Sequence, residues 1–126
     1  MTMKFLCFAY DDEELFGKLG QGEWLELRQE VLEYVDSLRE RGILLATHPL
    51  QTVKRAATVR VRDGRPQVGD GPFAEAKEHV GGYFLIEVED RDEALRVAAG
   101  WPSARIGAIE VRPVDEGLRT DRRYDL

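Results

Sequence analysis

The chain has 126 residues, 43% of them hydrophobic and 33% charged, and a formal charge of −6, which suits one globular domain and excludes a disordered segment. Arg60, Arg62 and Arg65 gather around one turn, but 24 acidic residues dilute them, so a nucleic-acid partner, which needs clustered cations, is not expected. No apolar run approaches the roughly 20 residues that span a bilayer, so no membrane partner is expected.

The opening stretch Met1 to Tyr10 is apolar but brief, has no basic leader and runs into Asp11-Asp12-Glu13-Glu14. It reads as a buried first strand over Lys4 to Tyr10 and not as a signal peptide. Cys7, the single cysteine, rules out an intrachain disulfide and agrees with a reducing, cytoplasmic setting. Between Leu6 and Phe8 it reads as a buried, inert thiol.

From about Glu23 to Arg41, Trp24, Leu27, Val31, Tyr34, Val35 and Leu38 recur at three- and four-residue steps, which predicts a helix with one apolar stripe. Gly42 stands where a left-handed cap is wanted. A second strand is expected at Ile43 to Thr47. Thr58 to Arg62 alternates with period two, and Asp63-Gly64 predicts a tight hairpin turn into Arg65 to Val68, with Pro66 confining that return strand to an edge.

After the loop Gly69 to Phe73, Pro72 is placed to open a short helical stretch through Ala74, Ala76 and Lys77. Gly81-Gly82 breaks it, and Tyr83 to Val88 follows as a second strand apolar on both faces. Asp90 and Glu93 have capping-box spacing ahead of a helix over Arg91 to Ala99, stopped by Gly100 and Pro102. Ile106 to Arg112 is the last strand. The domain spans residues 1–114, and residues 115–126 form a charged tail.

Apart from the inserted hairpin, the order is strand, helix, strand, strand, helix, strand: an α+β, ferredoxin-like βαββαβ fold whose central strands are the two most apolar ones. Two helices cover one face of such a sheet. Each large apolar side chain left wet on the other face forfeits roughly 1.5–3 kcal/mol. A homodimer that stacks two such faces, or a lid formed by the hairpin or the tail, removes that cost.

Val68-Gly69-Asp70-Gly71-Pro72-Phe73-Ala74-Glu75-Ala76-Lys77-Glu78, then Gly81-Gly82-Tyr83, resembles the signature of the DGPF branch of the YCII-related proteins. Thr58 to Gly64 and Ile109 to Pro113 are also similar to that family. The resemblance covers nearly the whole chain up to the tail. It implies a dimeric α+β barrel, a cleft of unknown ligand and a regulatory partner linked to sigma factors, and it implies no established activity. The acid–base pair suspected in the wider group is a His in the first helix and an Asp after the second. This chain has no His in the first helix, and Gly100-Trp101-Pro102-Ser103 follows the second.

His48, held extended ahead of Pro49 at the end of a strand, can shuttle protons near neutral pH or can be a solvated loop residue. Asp70 can orient it, or can accept hydrogen bonds from its own loop. These two residues are the catalytic candidates for a small acid–base enzyme. The other reading is a ligand-binding or regulatory domain without catalysis. Asp70, Gly71, Pro72, Phe73 and Lys77 are candidates for a small anionic ligand held at the start of the Pro72 helix, with Phe73 packed under its loop. Glu75 and His79 are four apart, but without further ligand spacing no metal or other cofactor is expected.

Overall fold

The computed structural model describes residues 1–117. Strand β1 covers Met3–Asp12, helix α1 Glu13–Gly17, α2 Gln21–Glu40, β2 Leu44–Pro49, β3 Ala57–Arg62, β4 Arg65–Asp70, β5 Glu78–Val88, α3 Arg91–Gly100 and β6 Ala108–Pro113. Four strands form an antiparallel sheet in the order β2-β5-β1-β6, and β3 and β4 form a separate hairpin. The α+β, ferredoxin-like arrangement is as expected, with β5 and β1 at the centre.

Alternation along the central strands decides what is buried. Phe5, Cys7 and Ala9 of β1 and Phe84, Ile86 and Val88 of β5 turn to the helices and are buried. Val35 and Leu38 of α2, and Ala94 and Val97 of α3, close over them. Trp101 stacks on Phe84 with ring centroids 4.0 Å apart and meets the edge of Tyr34. The Tyr34 hydroxyl donates to the Val97 carbonyl at 2.7 Å, which ties α2 to α3.

Local signals at the element ends act as their chemistry dictates. Gly42, at φ +70°, lets α2 end with Ile43 N–H bonded to the Leu38 carbonyl and Gly42 N–H to the Arg39 carbonyl, the Schellman pattern. Asp63 and Gly64 both have positive φ, as a type I′ turn requires. Asp90 accepts from Glu93 N–H at 2.9 Å, but Glu93 reaches back to the Glu89 amide and not to that of Asp90.

Two expectations are corrected. No helix follows Pro72: residues 71–77 lack regular structure, and β5 already begins at Glu78. Glu78, His79 and Val80 pair with Asp12, Asp11 and Tyr10, so cross-strand pairing wins over the weak helical tendency of a few residues. Gly81 and Gly82 therefore lie within the strand, where the register shift opposite Ala9 and Tyr10 leaves Gly81 as the extra residue of a β-bulge. Phe73 is not packed under its loop. It is 72% exposed, with the Arg60 guanidinium 4.8 Å above its ring.

Candidate ligand cavity

The β1 row that faces the helices does not end at Ala9. Two residues on, Asp11 occupies the next position of the same parity, at the end of the core where α2 begins. The bulge shapes its surroundings: the Asp11 carboxylate lies against Gly81, where a Cβ would force this side chain to move. Asp12 next door caps α1, accepting from the amides of Glu14 and Leu15. Glu13 holds the loop before the hairpin, accepting from the Thr52 hydroxyl and the Val53 amide at 3.0 Å each.

Asp11 borders a cavity of about 560 Å³ between α2 and the β1–β5–β2 part of the sheet, within the size range of small-molecule sites. Apolar groups dominate the lining, among them Phe16, Trp24, Val31, Leu32, Leu50 and Trp101. Phe16 and Trp24 meet edge to face with centroids 6.4 Å apart. The polar groups around the cavity are Asp11, Arg28, Arg39, Thr47, His48, Tyr83 and Ser103, and Thr47 is engaged in a bond to the Tyr83 carbonyl at 2.8 Å. A smaller groove of about 200 Å³ lies beside Glu23, Glu26, Glu30 and Arg105. Arg105 is already paired there with Glu30 at 2.6 Å.

Burial pushes the Asp11 carboxyl up to about 6 from its ordinary 3.8, and the negative charge of Glu13 adds to the effect. No hydrogen bond or ion pair among the described residues engages that carboxylate. It is a half-buried acid that no described residue pairs.

The sequence candidates are distributed differently. His48 borders the cavity, and its Nδ1 lies 2.7 Å from the Tyr83 hydroxyl. Strand register puts both rings on the sheet face opposite Phe84 and Trp101. Asp70 ends β4 opposite Ala57, is exposed, and is not part of the cavity lining. No hydrogen bond joins it to His48, so the structure does not assemble the two at this cavity. Gly71, Pro72, Phe73 and Lys77 lie in the irregular segment after the hairpin. Without a helix there, the amide cluster proposed for an anion is missing, and Glu75 and His79 share no helix face.

The chain matches the family model of the YCII-related domain over residues 3–116. It belongs to the YCII-related family. It is also similar to an uncharacterised protein of Rhizobium meliloti (strain 1021), with 32% identity over 114 residues that cover 89% of this chain and 92% of that one. In this YCII-related domain neither α1 nor α2 carries a His, and Asp11 is a carboxylate in the β1 row that faces the helices. Sequence reasoning treated Asp11 only as part of an acidic run. The signal that finds it is parity: Phe5, Cys7, Ala9 and Asp11 lie on one side of a strand.

Proposed function

We propose that this YCII-related protein is a homodimeric small-ligand-binding domain whose ligand sits in the cavity between α2 and the sheet. The observation that carries the reading is the cavity itself: largely apolar walls with a few polar groups, among them the half-buried Asp11 carboxylate, the usual composition of a small-molecule site. Support for the dimer comes from two apolar surfaces that no helix among the described residues covers. On the open sheet face the cross-strand pairs Phe8–Tyr83 and Leu6–Leu85 form a block that no helix shields. On the hairpin, Val59, Val61 and Val68 share one face and are 60%, 57% and 70% exposed. A second copy buries both kinds of surface symmetrically.

The test has two arms. A thermal-shift screen of small apolar and amphipathic compounds on the wild type is repeated on Val31→Phe, which fills the cavity from α2. Hits that stabilise the wild type and lose their effect in Val31→Phe support the site, and hits with equal effect on both refute it. Light scattering addresses the assembly: a dimer that Leu85→Asp converts to monomer supports the stacked sheet face, and a wild type that is monomeric at micromolar concentration refutes it.

A further inference from the structure

Asp11 is a half-buried carboxylate that no cation among the described residues pairs, and its surroundings indicate what would pair it. We propose that the cavity selects a small apolar or aromatic amine, whose ammonium pairs with Asp11 while its body lies against the rings of Trp24, Phe16 and Trp101. The inference rests on the reading of this cavity as the ligand site and adds the charge of the ligand.

Three observations converge. Asp11 continues the helix-facing row of Phe5, Cys7 and Ala9, and it belongs to the lining of the cavity. No donor or cation of the described residues meets it, and Glu13 deepens the negative potential at its position. Phe16, Trp24 and Trp101 stand among the apolar walls, and a ring face attracts a cation whereas it repels an anion. A carboxylate-bearing ligand in the same place would add a third negative charge beside Asp11 and Glu13.

The charged and titratable groups on the elements around Asp11 are Glu13 on α1, Arg28 and Arg39 on α2, His79 opposite it on β5 and His48 on β2. Arg28 and Arg39 make no ion pair with it among the described residues. They are exposed residues of α2, where they are free to turn into water.

The experiment compares three probes of one shape on the full chain: 2-phenylethylamine, 2-phenylethanol and 3-phenylpropionate, followed by calorimetry and tryptophan fluorescence. The amine is expected to bind at least tenfold more tightly than the alcohol and the acid, and Asp11→Asn is expected to abolish that preference while leaving the alcohol unchanged. Wild-type protein supplies a second readout that needs no variant. With the acid titrating near 6, its ionised fraction falls from about nine-tenths at pH 7 to about one-tenth at pH 5, so amine affinity should drop about tenfold over that range. Binding of the alcohol or the acid as tightly as the amine overturns the charge assignment and leaves the ligand cavity standing. Failure of all three to bind folded protein overturns both for this class of ligand.

Discussion

Replacing Asp11 by Asn should make the protein more stable at neutral pH, because the native carboxylate is held where it is poorly solvated. Its pKa rises from 3.8 in the unfolded chain to about 6 in the fold. The native state therefore binds this proton more tightly, and the stability it confers is fully present below pH 3.8 and is lost as pH rises through 6. A shift of about 2 units at about 1.36 kcal/mol each sets an upper bound near 3 kcal/mol. Asp11 keeps part of its contact with water, and screening reduces the figure to about 1–2 kcal/mol. The assay is urea unfolding of wild type and Asp11→Asn at pH 4, 5, 6 and 7, at one protomer concentration because association contributes to apparent stability. The variant should gain on the wild type across pH 4 to 6.5 and keep a constant lead above that. A variant less stable at pH 7, or a difference that does not change with pH, would refute the argument that Asp11 ionises at a cost.

Trp101→Ala should cost about 3–5 kcal/mol, since it removes the ring stacked on Phe84 and the edge contact to Tyr34 and leaves a void under α2; denaturant unfolding measures it, and a loss below 1 kcal/mol would show that the core closes without it. Burial pushes the Cys7 thiol up to about 12, so iodoacetamide at pH 8 should leave folded protein unmodified and alkylate it only in denaturant; rapid labelling of the native state, read by mass spectrometry, would contradict the packing of β1.

What was legible in the sequence was local. Gly42 as a cap, Asp63-Gly64 as a turn and Asp90 at the start of α3 each depend on a few neighbouring residues, and they stand in the structure as their chemistry requires. The central position of β1 and β5 was legible too, because both strands carry a continuous apolar run. The errors share one physical origin. Glu78, His79 and Val80 carry little strand signal of their own and become strand by pairing with Tyr10, Asp11 and Asp12, nearly seventy residues away in the chain. That same pairing removes the helix expected after Pro72, on which the reading of an anion site rested. It also turns Gly81 from a breaker into the bulge beside Asp11. Asp70 and Phe73 attracted attention through their motif, yet both are exposed at or just after the end of the hairpin.

The close approach of Gly81 to the Asp11 carboxylate is also a physical reason to place function at this end of the fold. Position 11 continues a row in which Phe5, Cys7 and Ala9 are all buried, and an apolar side chain there would extend the core without any electrostatic cost. Position 81 sits in a strand interior, where glycine weakens pairing and offers nothing to pack. The two together give up stability twice, once through an unpaired carboxylate and once through a missing side chain. What they gain is an acid with room to move at the edge of an apolar cavity. Buried or half-buried charges persist when something pairs them, and no protein group among the described residues pairs this one. If the Asp11→Asn variant proves more stable and at the same time loses selective binding of an amine, the cost in stability and the binding energy will have been traced to the same two oxygen atoms.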